Sequence, residues 1–258
     1  MLADAESLWR SNSIELWSSS LQAYEHQVHA VASKKSKADL VKLDSWYRQL
    51  HRQVSARKHK RFLHLEELSR IMMWKLARGK FRPGLQGKVD SNSDVTCKEV
   101  TEKAFEEAEN VQSSLESGTA PDSKEVCDGT KRAIEILSKG PPKLKGVGPA
   151  TASALLAALY DSFPFMSDEA LHAALKIRSP KYNAKEYMSF CEELRCKAGA
   201  LNNDEKALGS GSKKWTAAMV EMALWSAAIN TGPATAQPVP KTDGEESKTA
   251  PRKRLRSE

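Results

Sequence analysis

Two glycines and a downstream aspartate are the residues of this 258-residue chain whose types and spacing most clearly suggest chemistry. Gly146 and Gly148 bracket Val147, and this spacing is typical of a tight turn because glycine accepts positive φ without a Cβ clash. Pro149 suits the first turn of a helix, where its missing N–H would have no partner. The pattern therefore predicts a helix, a glycine-rich hairpin and a second helix, followed by Asp168 at the start of the next helix.

Such a hairpin can bind a phosphate group through its backbone. It exposes consecutive N–H groups at a helix N-terminus, where the helix dipole also favours negative charge. Two lysines at its edge add positive charge. The predicted phosphate contacts of the hairpin, taken as 143–157, are Lys143, Lys145, Gly146, Val147, Gly148 and Thr151.

The segment from Lys143 to about Leu175 resembles the helix-hairpin-helix core of the DNA glycosylase and endonuclease III superfamily. The hairpin of that family reads L-x-G-V/I-G-x-x-T-A, and here Leu144 to Ala152 follows it. The resemblance covers about 33 of the 258 residues.

By this resemblance, a loop after the second helix delivers an aspartate to the damaged-base pocket, and Asp168 stands there, 20 residues after Gly148. A carboxylate in that place stabilises the positive charge that develops on deoxyribose when a flipped base leaves. An aspartate at a helix start is also a common N-cap, and the two roles are compatible. The residues after Asp168 are Glu169, Ala170, Leu171 and His172, whereas the family usually has T/V-H-V.

The resemblance also bears on covalent chemistry and cofactors. Bifunctional members carry a Schiff-base lysine two residues after the second hairpin glycine, where this chain has Ala150, so we expect a monofunctional enzyme if it is one. Some members carry a four-cysteine iron–sulfur cluster, but only Cys191 and Cys196 lie near each other here, and we expect no cluster. No side-chain metal site is predicted. By analogy, carbonyl groups of the hairpin could hold a monovalent cation.

A second basic region precedes the hairpin. Between Lys75 and Lys88 there are five cations and no acid, with glycines and a proline that predict a loop. In the family an early helix and its following loop approach the minor groove, and a residue there fills the gap left by a flipped base. Phe81 and Gln86 are candidates for that role. The candidate phosphate contacts are Lys75, Arg78, Lys80 and Arg82.

The whole chain is basic, with a net charge of +7 and a pI near 9.1, which favours polyanions as partners. The resemblance implies that this partner is double-stranded DNA. A dense basic stretch from Arg48 to Arg61 is either a solvated surface or a second nucleic-acid contact. No apolar run is long enough for a membrane span, and the N-terminus lacks the form of a signal peptide. We expect an intracellular monomer without membrane contact; protein partners are not predicted.

Apolar residues recur at helical spacing through most of the chain, and no strand-length alternation is found. The expected fold is all-α, with eight to ten helices in a two-lobed, glycosylase-like domain over 1–230. The aromatic residues of the first two predicted helices, 5–31 and 38–54, are expected in the core. Beyond Asn230 the sequence predicts a disordered basic tail, 231–258. The tail ends in a candidate nuclear import signal at Arg252, Lys253, Arg254 and Arg256, which predicts a nuclear protein.

These features leave three functions open. The first is a monofunctional DNA glycosylase that uses Asp168. The second is a non-catalytic DNA or chromatin binding module that has the same fold. The third is a helical scaffold for a protein partner, in which the hairpin only packs helices.

Overall fold

A computed structural model describes residues 4–34, 39–57, 60–207 and 214–230, with no side-chain description for 205–207. The described residues form thirteen α-helices and no strand, which confirms the all-α class. The helices are α1 (Ala5–Arg10), α2 (Ile14–Gln22), α3 (Tyr24–Lys34), α4 (Asp39–Tyr47), α5 (Leu50–Ser55), α6 (Leu65–Arg78), α7 (Leu85–Asp90), α8 (Asp94–Glu116), α9 (Lys124–Lys139), α10 (Pro149–Ala157), α11 (Asp168–Leu175), α12 (Ala184–Ala207) and α13 (Ala217–Asn230). None of these helices is long and apolar enough to cross a membrane. The predicted tail and its import signal lie outside the described residues.

The expectation of eight to ten helices is wrong, because two long predicted helices are broken and α7 forms in a segment predicted as loop. The segment 5–31 forms α1, α2 and most of α3, and 38–54 forms α4 and most of α5. The side chain of Asp4 accepts the N–H of Ser7 to begin α1, and Ser13 accepts the N–H of Leu16 to begin α2. Apolar periodicity runs on across such capped breaks, so the spacing alone merges the helices.

Aromatic side chains of the N-terminal helices hold α6 in place. Trp17, Tyr24 and Tyr47 are buried, as expected, whereas Trp9 and Trp46 are only partly buried. The ring of Tyr47 stacks on Trp74 of α6 with centroids 3.6 Å apart. Asp44 accepts hydrogen bonds from the hydroxyl group of Tyr24 at 2.7 Å and from the indole N–H of Trp74 at 2.9 Å. This buried network fixes α6, whose C-terminal end carries the basic loop.

The predicted hairpin joins α9 to α10, with Pro149 at the first helical position of α10. Leu144 and Val147 are buried and anchor the turn. Gly146 has φ of +75°, and a Cβ atom there would lie 2.9 Å from Cγ2 of Val89 in α7. The turn therefore requires a glycine at this position, and it packs directly on the helix that follows the basic loop.

Candidate nucleic-acid interface

The hairpin, the basic loop and the start of α11 surround one cavity of about 470 Å³. This volume lies within the range of small-molecule binding sites. The wall includes the hairpin segment from Gly148 to Thr151, the loop cations Lys80 and Arg82, and Asp168. The structure thus brings together three regions that the sequence singled out separately. We call this space the central cavity.

Asp168 is the first residue of α11, and Ser167 occupies the N-cap position. Its carboxylate makes no capping hydrogen bond to the helix. One oxygen, Oδ1, accepts a hydrogen bond from the hydroxyl group of Tyr182 at 2.7 Å, and Oδ2 lies 2.8 Å from Nζ of Lys80. The side chain is 25% exposed. Asp168 therefore faces the central cavity rather than the backbone of its own helix.

Tyr182 is a member of the site that the sequence analysis missed. It lies two residues before α12 and has φ of +52°, a conformation that few residues other than glycine adopt. The carboxylate of Glu186 accepts the backbone N–H groups of Lys181 and Tyr182 and holds this bend. Burial and the adjacent Asp168 raise the pKa of the Tyr182 hydroxyl, so it stays protonated and donates to the carboxylate. A residue in a strained conformation that holds a carboxylate beside a cavity is typical of a preorganised site.

The prediction that Arg78 contacts phosphate is wrong. Its side chain is 1% exposed and forms a two-pronged ion pair with Glu221 of α13, with N···O distances of 3.0 to 3.1 Å. Its guanidinium group packs against several aromatic rings, with Trp225 at 4.4 Å. Burial opposes its charge, but Glu221 raises its pKa above the ordinary value. Arg78 differs from the neighbouring cations because its side chain points to Glu221 and Trp225 in the interior.

One further contact connects the buried ion pair of Arg78 and Glu221 to the residue before Asp168. The hydroxyl group of Ser167 donates to Oε1 of Glu221 at 2.5 Å. Burial raises the pKa of Glu221, whereas Arg78 and Ser167 favour the ionised form. The residue that precedes Asp168 is thereby tied to α6 and α13. Glu221 gave no signal in sequence, because it stands alone in an apolar helix far from the hairpin.

Three backbone N–H groups of the hairpin are free within the described part of the chain. Those of Gly146, Gly148 and Ala150 donate to no described atom, and all three residues line the central cavity. The N–H of Lys145, in contrast, donates to the side chain of Asn92 at 2.8 Å. The free groups lie at the N-terminus of α10, where a phosphate group would meet both the amides and the helix dipole.

The other predicted hairpin contacts divide into two groups. The side chains of Val147 and Thr151 are buried, and their N–H groups donate to Leu144 and Gly148 within the turn. The lysines at 143 and 145 are exposed and make no ion pair with any described residue. The two lysine charges remain exposed beside the hairpin, while the two buried residues shape the turn.

The basic loop after α6 is exposed except for Arg78. Lys80 pairs with Asp168, and the Arg82 guanidinium lies 5.7 Å from the ring centre of Tyr182. Phe81, between them, is 69% exposed. Gln86 donates instead to Ser69 and Asp90 inside the protein. Of the two candidates for filling a vacated base position, Phe81 is the one whose side chain is free to do so.

The other basic stretch, from Arg48 to Arg61, is largely neutralised. Four of its described cations form ion pairs with acids on other helices: Arg48 with Glu25, Arg57 with Glu67, Lys60 with Glu102 and Arg61 with Glu109. Arg52 forms none with a described residue. Residues 58 and 59 lie outside the description. This pairing favours a solvated protein surface over a second nucleic-acid contact.

Among the described residues, no cluster of His, Cys, Asp or Glu could hold a metal ion. The four cysteines are free thiols.

The hairpin carbonyl of Lys145 accepts a hydrogen bond from the side-chain amide of Asn92 at 3.0 Å, and this contact from outside the hairpin stabilises the turn.

Comparisons of the chain with protein-family models, with curated protein sequences and with solved structures found no match.

Proposed function

We propose that this protein binds double-stranded DNA and removes a base from it, as a monofunctional N-glycosylase of the helix-hairpin-helix type. The observation that carries the proposal is that Asp168 and the free hairpin amides open onto the same cavity. A nucleotide whose phosphate binds at the N-terminus of α10 would place its sugar near the Asp168 carboxylate. The resemblance of the hairpin sequence supports the same assignment.

The chemistry follows from the charge of the carboxylate. When the glycosidic bond breaks, positive charge develops on C1′ and O4′ of the sugar, and a nearby carboxylate stabilises it. Asp168 can also orient the water that attacks C1′. Tyr182 holds one oxygen of the carboxylate in place through its hydrogen bond. No covalent bond to the protein is needed for this step.

Lys80 has two roles in this proposal. In the free protein it pairs with Asp168 and occupies one carboxylate oxygen. It is 68% exposed and lies on a flexible stem, so a DNA phosphate can attract it away. Binding of DNA would then free Asp168 at the moment when the sugar arrives.

The test is base release from duplexes that carry single damaged or mismatched bases. Purified protein should produce abasic sites on at least one substrate, and Asp168→Asn should abolish them while DNA affinity is retained. Asp128→Asn is the matched control, because Asp128 also pairs with a surface lysine, Lys124, but lies on α9 away from the cavity. Activity retained by Asp168→Asn would remove this residue from the mechanism.

A second function is favoured by one observation, namely that both oxygens of Asp168 already have partners. A non-catalytic DNA-binding module could use Asp168 only to fix Lys80 and Tyr182. That function predicts salt-dependent DNA binding with no abasic product from any substrate. In that case Asp168→Asn should change DNA affinity, whereas under the enzymatic proposal it should change the rate.

A further inference from the structure

Two N–H groups in residues of the cavity wall have no acceptor within the described part of the chain. They are Nε of Arg78 and Nε1 of Trp225, and the two side chains are 1% and 0% exposed. Glu221 occupies only the two terminal nitrogens of Arg78. A buried donor without an acceptor costs free energy, and a ligand that supplies an acceptor recovers it. The buried part of the wall therefore fits a ligand with hydrogen-bond acceptors.

The ammonium group of Lys75 is a third donor in this wall. Lys75 is half-buried on α6, one turn before Arg78, and its side chain has no hydrogen bond or ion pair with any described residue. An ammonium group can donate several hydrogen bonds and accepts none. Burial and the guanidinium group of Arg82 lower the pKa of Lys75. Negative charge on a bound ligand would act in the opposite direction and favour the charged form.

Aromatic rings surround the guanidinium group of Arg78. Its central carbon lies 4.4 Å from the ring centre of Trp225 and 5.2 Å from that of Phe165, which also belongs to the wall. Ring faces favour a planar ligand, because planar groups stack on them. A nucleobase with acceptor atoms on its edge has both properties, planarity and acceptors.

The charge of the wall discriminates between classes of damaged base. The wall cations that have no acidic partner among the described residues are Lys75, Arg82 and Lys88. Glu169 is the wall acid that has no described cationic partner, and the other charged groups of the wall are paired. The cavity therefore carries an excess of positive charge. Such a site disfavours a base that is itself cationic, for example one alkylated at a ring nitrogen.

We propose that the base removed in the central cavity is a neutral oxo-base, meaning one that carries a carbonyl oxygen, and that Trp225, Arg78 and Lys75 donate hydrogen bonds to that oxygen. Deamination and oxidation produce bases of this class in DNA. The inference rests on the proposed function, whose substrate class it names. It requires no covalent bond between the protein and the DNA.

The three donors act on the leaving group. When water replaces the base at C1′, the C1′–N bond breaks and its electron pair stays on the base. The negative charge spreads to the carbonyl oxygen, where the donors stabilise it as they would an oxyanion. The water oxygen bonds to C1′, one of its protons leaves through Asp168, and a proton from solvent neutralises the departed base. A cationic base, in contrast, leaves as a neutral molecule and needs no such donors.

The first experiment compares substrates with the full chain. Duplexes carry single hypoxanthine, uracil or 8-oxoguanine as oxo-bases, purine as hypoxanthine without its carbonyl oxygen, and 7-methylguanine as the cationic base. Each rate of base release is divided by the rate without protein, so that differences in intrinsic lability cancel. At least one oxo-base should be released about tenfold or more faster, on this scale, than purine and 7-methylguanine.

The second experiment removes the donors one at a time. Trp225→Phe removes Nε1, and Lys75→Met removes the ammonium group while keeping a chain of similar length. Each should lower release of the preferred oxo-base by about tenfold or more, with unchanged affinity for undamaged duplex. Trp46→Phe is the matched control, because Trp46 is partly buried in α4 and does not line the cavity, and it should act as wild type does.

The third experiment tests the donors without catalysis. The indole N–H signal of Trp225 is identified in a nitrogen-15 NMR spectrum as the one of six tryptophan signals that Trp225→Phe lacks. Saturating free hypoxanthine or uracil should move this signal, because its proton gains an acceptor, whereas free purine should leave it in place. Trp46→Phe should retain the shift.

The results separate this inference from the proposed function. Preferential release of 7-methylguanine, or release of an oxo-base at the wild-type rate by both donor variants, would overturn the substrate class and leave the glycosylase intact. Failure to release any base, together with the shift of the Trp225 signal, would contradict the glycosylase and support the oxo-base site. Neither release nor shift would overturn both.

Discussion

At the scale of single residues, the site depends on how Asp168 is held. Its two carboxylate oxygens have different partners. Oδ1 accepts a hydrogen bond from the hydroxyl group of Tyr182, and Oδ2 pairs with the ammonium group of the exposed Lys80. The hydroxyl group is fixed by a strained backbone, whereas the lysine is free to move. Tyr182 is therefore the fixed partner of the carboxylate, and Lys80 is the partner that DNA would displace under the proposed function.

Replacing Tyr182 with phenylalanine tests this division. The variant loses a hydrogen bond to a charged group, and we expect kcat for base release to fall by about tenfold, with KM unchanged. Single-turnover kinetics on the active substrate measures the effect. Because the pKa of Tyr182 is raised above its ordinary value of 10.0, the wild-type rate should show no loss from this group up to that pH. An unchanged kcat in Tyr182→Phe would show that Asp168 needs no such support.

Residue-level prediction from sequence succeeded where spacing defined the position and failed where burial decided it. The resemblance of the hairpin, together with its spacing to Asp168, predicted that carboxylate beside the turn, and both line the central cavity. Arg78 could not be told from Lys80 or Arg82, because the direction of a side chain depends on the helix that packs against it. Tyr182 and Glu221 come from segments distant in sequence, and only the folded chain brings them to the site.

At the scale of elements, the two hairpin positions differ in why they carry glycine. Gly146 adopts φ of +75°, and an added Cβ would lie 3.1 Å from the backbone nitrogen of Val89. Gly148 has φ of −105°, and an added Cβ would meet nothing within 4 Å. Gly146 is therefore required by the conformation and packing of the turn. Gly148 leaves its exposed side open to whatever approaches the N-terminus of α10.

Alanine at each position should separate folding from binding. Gly146→Ala should lower the free energy of unfolding by about 1–3 kcal/mol, because it combines a strained φ with a steric clash. Gly148→Ala should change it by no more than about 0.5 kcal/mol. It should nevertheless weaken DNA binding, because the added methyl group keeps a phosphate away from the free amides. Urea unfolding and fluorescence anisotropy measure the two effects.

One result would contradict the prediction for Gly148→Ala. Full DNA affinity in a stable Gly148→Ala protein would show that the hairpin does not contact the nucleic acid. The same finding would leave the cavity and Asp168 without a mode of DNA entry.

The buried ion pair between Arg78 of α6 and Glu221 of α13 is the second feature at this scale. Arg78 and Glu221 are both buried, and removing one of them leaves the other charged without a partner. Glu221→Ala should therefore lower the free energy of unfolding by about 3–5 kcal/mol. The double variant Arg78→Met with Glu221→Leu should recover most of that loss, since neither charge remains. The urea midpoint at constant m-value is the measurement.

If the double variant is as unstable as Glu221→Ala, the pair cannot be replaced by apolar packing. Activity of the recovered double variant is also informative. In this variant the Ser167 hydroxyl would lose its acceptor, Glu221. A stable protein with slow base release would show that the ion pair also positions Asp168.

The helices themselves were predictable to different degrees. Helices α8 and α9 follow polar N-caps, Ser93 and Ser123, and the hairpin is followed by Pro149 at the first position of α10, as its sequence predicts. The first three helices were predicted as one, because the short break at Ser11 to Ser13 leaves the periodicity intact. Helix α7 was predicted as loop, since glycines and a proline surround it.

At the scale of the whole molecule, the charge distribution matters more than the net charge of +7. The cations around α8 are paired with acids, whereas the exposed lysines beside the hairpin have no described partner. The total could be read from the sequence, but the pairing could not, because partners such as Lys60 and Glu102 are far apart along the chain. The surface around the central cavity is therefore the face that the proposed function assigns to DNA.

Two double variants of equal charge change test this asymmetry. Lys88→Gln with Lys145→Gln removes two exposed charges beside the cavity, and Lys60→Gln with Arg61→Gln removes two charges already paired with Glu102 and Glu109. The slope of log affinity against log salt should fall in magnitude by about 1.8 for the first and stay near wild type for the second, since each lost phosphate contact contributes about 0.9. Titration of a short duplex at several salt concentrations gives both slopes. Equal slopes for the two variants would mean that DNA responds to net charge alone, and the assignment of a binding face would fail.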